Sequence, residues 1–431
     1  MRDGTLYWIW LAQRLGAGNR YLPYLMERYS DAFEIFRADP EELFDTEMPE
    51  ALQEALSDKN LDEALAISDY CTKLRIGILT YKSELYPAGL RRLKDPPAVL
   101  YYRGRMPDLS KRVSVSVVGT RTMSEYGKSA GYKIAYELAS AGVCIVSGMA
   151  LGVDSVAACA ALAAGETTIA VLGSGVDVIY PPEHVTLYRK IIERGAVVSE
   201  YPPTSRPEGH HFPQRNRIIS GISMGTLVIE GDMRSGALIT AELALEQGKD
   251  LFALPGNINA VNASGTNSLL RNGADLVLEA SDILDRYSLY HANKLNFARL
   301  SYGKTRSSVS DKVLSQYGVC FGVDRDETTV PVRRAPVKRE AAPKQTQKLE
   351  TLAAVASSAT KPLEAVTDTK MLDSLPEKYR DIFGAIPDGR PVSFDEVLAV
   401  CKTPAEAMSA LTFLEIKGAV SSLPGGYYLK N

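Results

Sequence analysis

Three short polar segments in the middle of this 431-residue chain carry groups suited to holding a phosphate. Gly119-Thr120-Arg121 combines a glycine that allows close backbone approach with a hydroxyl and a guanidinium, whose planar fork matches phosphate oxygens. Ser147-Gly148-Met149-Ala150-Leu151-Gly152-Val153-Asp154 repeats the logic, placing backbone amides at the N-terminus of a helix expected from Asp154. Phe212-Pro213-Gln214-Arg215-Asn216-Arg217, read as a third turn, adds two guanidinium groups beside an aromatic ring. Taken singly, each glycine could serve only a tight turn, and Arg121 could pair with a carboxylate such as Glu230. Three such segments at the ends of parallel strands would converge at the carboxyl edge of one sheet, where open α/β sheets bind ligands. The pattern predicts a polyanion site.

Other chemistries find less support. A dinucleotide fingerprint needs Gly-x-Gly-x-x-Gly at the first strand-to-helix turn, but Gly119-Thr120-Arg121-Thr122-Met123-Ser124 holds one glycine. Neither a Gly-x-x-x-x-Gly-Lys-Ser/Thr phosphate loop nor a His-Glu-x-x-His zinc motif occurs. Glu230-Gly231-Asp232 has the carboxylates to coordinate Mg²⁺, although Glu230 equally suits anchoring the backbone of Ser235-Gly236, the preferred reading. Ser235, Gly236 and Thr240 then cap the following helix or line the pocket. The histidines are His184, His210, His211 and His291, and the pair beside Phe212 reads as solvent-exposed loop. No catalytic group, metal or cofactor is expected, and the protein reads as a binder rather than an enzyme.

Composition sets the limits. Hydrophobic residues make up 45% and charged residues 23%, as in a globular protein, and the length suggests two to four domains. No run approaches the roughly 18 to 20 apolar residues that span a bilayer, and the start lacks the profile of a signal peptide, so no membrane partner and a cytoplasmic location are expected. Cys71, Cys144, Cys159, Cys320 and Cys401 are scattered without a Cys-x-x-Cys pair, which suits reduced thiols. A net charge of −3 excludes a surface coated in positive potential, so any nucleic-acid contact must be local, as Arg121, Arg215 and Arg217 would make it.

The elements that would position these groups follow from periodicity. Residues 1–72 read as short helices in which Leu15-Gly16-Ala17-Gly18 makes a sharp turn, either a helix-hairpin-helix contact to DNA phosphates or a plain glycine cap. Residues 73–290 alternate strand and helix from Val113 onward, the signature of a parallel sheet covered on both faces. Short apolar strands are expected at Val113–Val118, Val143–Val146, Thr168–Leu172, Ala196–Ser199, Thr226–Ile229, Leu251–Leu254 and Leu276–Leu278. Residues 291–370 turn rich in Ser, Thr, Lys, Pro and Ala and read as a flexible linker. Residues 371–431 regain pattern as helices followed by a glycine hairpin, which suggests a winged helix. The fold class expected is therefore α/β: an extended Rossmann-like core between a small helical domain and a winged-helix-like domain.

Val117-Val118-Gly119-Thr120-Arg121, Ser147 to Asp154, Tyr180-Pro181, Phe212 to Ile219, Ser235 to Ala241 and Leu254-Pro255-Gly256 together resemble, in order and spacing, the DNA-processing protein A (DprA, or Smf) family. The resemblance covers about Tyr86 to Asp285. It implies single-stranded DNA as ligand, loading of the RecA recombinase during natural transformation, and a homodimer. Carried over position by position, it makes Gly119, Thr120, Arg121, Ser147, Gly148, Ala150, Phe212, Arg215 and Arg217 the DNA-facing residues, with Phe212 stacking on a base. Asn216 would brace its loop, and Lys249 would add a phosphate contact if its strand start faces the groove or remain a solvated lysine. The chain departs from the family at Ala158, where a histidine is common, and any role of that imidazole is lost here. The rival reading is a phosphoribohydrolase of the lysine-decarboxylase-like group acting on nucleoside monophosphates, whose Pro-Gly-Gly-x-Gly-Thr motif survives only as Gly225-Thr226.

Overall fold

The structure, a computed structural model, describes residues 3–39, 48–299 and 311–319, together with separate stretches between 380 and 430. It divides into two compact units, Met1–Thr328 and Thr329–Asn431.

The first unit opens with helices α1 (Asp3–Leu15), α2 (Tyr21–Arg28), α3 (Ala32–Arg37), α4 (Glu50–Ser57) and α5 (Asp62–Leu74). Ile9, Trp10, Leu11, Leu22, Leu25, Ile35 and Leu56 are fully enclosed between them, and this apolar cluster continues onto Val99 and Tyr101. Gly16 and Gly18 reverse the chain between α1 and α2 with φ of 72° and 71°, values that favour glycine. The Gly18 N–H donates to the Glu200 carboxylate at 3.3 Å, and the Ala17 carbonyl accepts from the Gln214 side chain at 2.5 Å. This turn is docked on the following domain, which favours the cap over the phosphate contact.

Next come β1 (Gly77–Thr80), α6 (Ala88–Arg91), β2 (Val99–Gly104), β3 (Ser114–Val118), α7 (Glu125–Ser140), β4 (Cys144–Ser147), α8 (Val153–Ala163) and β5 (Thr168–Val171). They are followed by α9 (Val185–Arg194), β6 (Ala196–Ser199), α10 (His211–Ile222), β7 (Gly225–Val228), α11 (Gly236–Glu246), β8 (Asp250–Ala253), α12 (Ser264–Arg271), β9 (Asp275–Leu276) and α13 (Ala280–His291). One sheet forms in the order β1-β2-β6-β5-β4-β3-β7-β8-β9. Strands β3 to β9 pair in parallel, whereas β1 with β2 and β2 with β6 run antiparallel. The core is thus the expected Rossmann-like sheet, with an antiparallel edge that the apolar pattern of Ala98 to Tyr102 did not disclose.

Both faces are buried, and alternation along each strand assigns the side chains. Val115 and Val117 face one cluster with Leu138, Val156, Leu187 and Ile283 of the helices on that side. Val118, Val146, Val171 and Val198 face another with Leu90, Ile218, Ile222 and Ala241. Buried hydroxyls in the sheet are satisfied: Ser116 and Thr226 lie 2.7 Å apart across β3 and β7.

One segment departs from its expected class. Phe212 to Arg217 is the first half of α10 and not a turn. Pro213 is compatible with this because the first turn of a helix has no partner for its N–H groups. Within the composition-defined linker, α14 (Asp311–Ser315) is helical, and Leu314 is wholly buried in the core cluster against α7 and α8. The rest of that linker, with Cys320, lies outside the described residues.

In the second unit β10 (Val392–Ser393), β11 (Val420–Leu423) and β12 (Tyr427–Lys430) form an antiparallel sheet in the order β10-β12-β11. It closes a core of Phe383, Ile386, Ala407, Ala410, Leu411 and Leu414. The spacing of the last four is that of one helical face, and helix plus hairpin is the winged-helix arrangement.

Candidate nucleic-acid interface

Strand β3 pairs with β4 on one side and β7 on the other. Strand order reverses there, which leaves a crevice beyond the carboxyl ends of the strands. The loops after β3 and β7 and the N-terminal turns of α10 and α11 enclose a cleft of about 730 Å³. Gly119, Thr120, Arg121, Ala150, Phe212, Arg215, Asn216, Ser235, Gly236 and Thr240 all line it. Most of the residues singled out by sequence therefore meet.

The loop after β3 is built to project one guanidinium. The Thr120 N–H donates to the Glu230 carbonyl at 2.7 Å, and the Thr120 carbonyl accepts from the Val153 N–H at 3.2 Å, which ties the backbone to the segment after β7 and to the start of α8. Gly119 is required by contact: a Cβ there would stand 2.5 Å from the Val153 side chain and 2.9 Å from the Glu230 carbonyl oxygen. Gly152, at φ +81°, is required by both conformation and space, because a Cβ would collide with the carbonyls of Thr120 and Arg121. Arg121 itself is exposed and makes no ion pair among the described residues. Its guanidinium carbon lies 5.6 Å from the centre of the Phe212 ring, a cation–π distance. Phe212 in turn lies 5.5 Å from the ring of Tyr180.

Arg215 stands behind this exposed set. It is 5% exposed and donates to the carbonyls of Gly148, at 2.9 Å, and Val171. Burial lowers its pKa to about 10, which still leaves it a cation at neutral pH, while Asp154 opposes the shift. The Asp154 carboxyl is pushed up by its own burial and held back by Arg215 and by two backbone amides. Those amides belong to Gly148, at 3.0 Å, and Ala150, at 3.3 Å.

That pairing corrects the second segment. The amides of Gly148 and Ala150 are taken by Asp154, and the Ser147 hydroxyl donates to the Val117 carbonyl at 2.8 Å, so these groups hold the turn instead of facing a ligand. Of the three residues only Ala150 lines the main cleft, and Gly148 touches a smaller recess beside Tyr180 and Phe212.

Two cations leave the site altogether. Arg217 is 4% exposed and bound to Glu200, at 2.6 Å, and to Asp95, at 3.3 Å. Residues 215 and 217 stand about 200° apart around a helix, at about 100° per residue, so a helical segment cannot aim both at one ligand. Phe212, Arg215, Asn216 and Ile219 share the face that lines the cleft. Lys249 precedes β8, at the amino edge of a parallel sheet whose site lies at the carboxyl edge. Its ammonium donates to the Gly221 carbonyl at 3.4 Å, and burial lowers its pKa.

The bracing residues fall closer to expectation, with one change of partner. Glu230 accepts from the N–H of Ser124 at 2.9 Å and from its hydroxyl at 2.5 Å, anchoring α7 and not the Ser235-Gly236 start of α11. Gly127 admits that carboxylate, since a Cβ would overlap it. Ser235 caps α11 through the Ala237 N–H at 3.3 Å. Thr240 Oγ1 donates to the Gly236 carbonyl at 3.5 Å, and the Asn216 side chain reaches that carbonyl at 3.4 Å while accepting from Arg215 at 3.2 Å.

Tyr180 and Arg234 are among the cleft residues to which sequence assigned no role. Tyr180 is 40% exposed against Phe212, and Arg234 offers an exposed guanidinium from the loop after β7. The position of Arg234 just beyond the strand next to the reversal point was a usable signal. Ala158 is buried in the core among Val156, Ala157 and Leu162, so nothing of this side chain reaches the cleft. Gly221-Ile222-Ser223-Met224-Gly225 has the spacing of a hydrolase nucleophile turn but runs from helix into strand, the reverse of that motif. The Ser223 hydroxyl is buried and donates to the Ile219 carbonyl at 3.0 Å.

No described helix is long and apolar enough to cross a membrane. Residues 77–288 match the DNA recombination-mediator protein A family, and residues 367–426 match the DprA winged helix domain. The DNA processing protein DprA of Bacillus subtilis is 40% identical over 210 residues, 49% of this chain and 71% of that protein. Protein Smf of Synechocystis is 36% identical over 287 residues, 64% of this chain and 71% of that protein. The X-ray structure of DNA processing protein A from Streptococcus pneumoniae superposes with a TM-score of 0.57 at 33% identity, over 65% of this chain and 97% of that one. With its Gly-Thr-Arg loop at the sheet reversal, a helix carrying Arg215-Asn216-Arg217 beside it and a terminal winged helix, the chain belongs to the DprA/Smf family of DNA-processing proteins.

Proposed function

We propose that this protein binds single-stranded DNA in the cleft at the carboxyl ends of β3 and β7, without catalysing a reaction, and hands the strand to the RecA recombinase. The observation that carries this reading is the exposed Arg121 guanidinium set against the Phe212 ring, which itself packs on Tyr180. A free cation beside aromatic faces is the combination that holds a phosphate and stacks the neighbouring base, with no demand on base identity. Arg234 adds a second exposed charge, and Arg215 a fixed positive charge behind both. Duplex DNA keeps its bases stacked inward and cannot offer them to Phe212, so the cleft favours single strands.

RecA delivery, a homodimer and a cytoplasmic location complete the proposal, supported by family membership. The domain organisation proposed with it is a helical domain in 1–72, the DNA-binding core in 73–290, a linker in 291–370 whose α14 packs back on the core, and a winged-helix domain in 371–431. The C-terminal domain serves protein contact or regulation, because the expected recognition helix, Ala405 to Lys417, carries Glu406 and Glu415 against Lys417. Family membership gives the phosphoribohydrolase reading no support. Fluorescence anisotropy of the full chain with single-stranded and duplex oligonucleotides of one length tests the proposal. Tighter binding of the single strand is expected, and equal affinity for both would remove the role of the aromatic pair. Turnover of a nucleoside monophosphate would restore the enzyme.

A further inference from the structure

We propose that Glu208, His210 and His211, where the chain enters α10, form a binding site for a divalent cation of the zinc class. The carboxylate and the two imidazoles bring ligand atoms within 4.8 Å of one another. The His211 N–H donates to the Glu208 carbonyl at 3.0 Å, closing the turn that sets the two side chains together.

His211 is arranged as a metal-binding histidine should be. Its Nδ1 lies 3.0 Å from the Gly173 carbonyl, which can only accept, so Nδ1 carries the proton and Nε2 keeps its lone pair. The ring lies against Tyr201, with centroids 3.9 Å apart, and the Tyr201 hydroxyl donates to Gln214 at 2.8 Å. One ligand is thereby fixed in both tautomer and orientation. The other two are free to adjust: the side chains of His210 and Glu208 are 71% and 60% exposed, with His210 Nδ1 3.6 Å from the carboxylate. Ligands on a tetrahedral ion stand roughly 3.3 Å apart, so the three donors, now within 4.8 Å, must close by up to about 1.5 Å, and the two exposed side chains are the ones placed to move.

Two imidazoles and one carboxylate suit Zn²⁺, Co²⁺ or Ni²⁺ and not the oxygen-seeking Mg²⁺ or Ca²⁺. Three protein ligands leave a position for water. The cation would stand near the positive end of α10, a repulsion that the Glu208 charge offsets, so binding depends on that carboxylate. Phe212 is the next residue after His211, and a bound ion would fix the first turn of α10, which presents its ring to the cleft.

The test is titration of the full chain with Co²⁺, then displacement by Zn²⁺, with no oligonucleotide present. One equivalent should bind with visible d–d absorption and without thiolate charge-transfer bands. Glu208→Gln and His210→Ala should each weaken binding by at least about tenfold, while circular dichroism stays unchanged because both side chains are exposed. Cys401→Ser should bind as the parent does. Absence of binding at micromolar Co²⁺, thiolate bands, or affinity retained in both Glu208→Gln and His210→Ala would overturn the proposal. Neither result depends on whether DNA occupies the cleft.

Discussion

Arg121 and Arg217 carry the same group, stand in the same family of motifs and do opposite things. Arg121 ends a loop whose backbone is hydrogen-bonded at Thr120 and Val153 and whose side chain reaches solvent over an aromatic ring. Arg217 lies inside, between Glu200 and Asp95, beneath the turn that docks the N-terminal helices. The difference teaches that positive charge near a binding site has two uses. A guanidinium without a carboxylate partner is available to a phosphate, and one with two partners holds domains together. Arg215 falls between, buried against two carbonyls with the Asp154 carboxylate close enough to offset part of its charge.

The comparison breaks most visibly at Arg217. Arg217→Ala strands Glu200, whose carboxyl burial already pushes upward against the pull of Arg217. A loss of about 3 to 5 kcal/mol is expected from removing one partner of a buried pair, read as a fall in urea midpoint. The fraction that remains folded should bind oligonucleotides with an unchanged salt dependence. Phe212→Ala should cost about 1 to 3 kcal/mol of single-strand affinity, equally for different sequences, and leave duplex binding unaltered. Arg234→Ala should weaken affinity without changing the unfolding free energy by more than about 0.5 kcal/mol. Lys249→Ala sharpens the contrast from the other side: lying at the amino edge of the sheet, it should leave affinity and salt dependence where they were. Removing Leu375 to Asn431 should likewise spare affinity, and its complete loss would relocate the site to the winged helix.

Much of this was legible in the residues because parallel strands buried on both faces write themselves as short apolar runs. Val113–Val118 and Ala196–Ser199 announce β3 and β6 directly, and the Gly-Thr-Arg loop follows from where β3 ends. The start of α10 was not legible, because Pro213 after a proline-rich loop looks like a turn although the first turn of a helix tolerates it. Reading it as a turn let Arg215 and Arg217 point together, which helical geometry forbids. Asp154 taking the Gly148 and Ala150 amides was hidden for a different reason: the same residues at the same spacing suit an external anion or an internal carboxylate, and only coordinates distinguish them. The antiparallel edge escaped because β1 is four residues long and half-buried at its start.

The most direct test is the slope of log K against log[salt] for single-stranded oligonucleotide binding, measured on the full chain and on Arg121→Ala. Loss of one phosphate contact should flatten the slope by about 0.7, with the urea midpoint unmoved. A slope that stays the same while affinity falls, or an affinity that does not change, would contradict the assignment of this cleft.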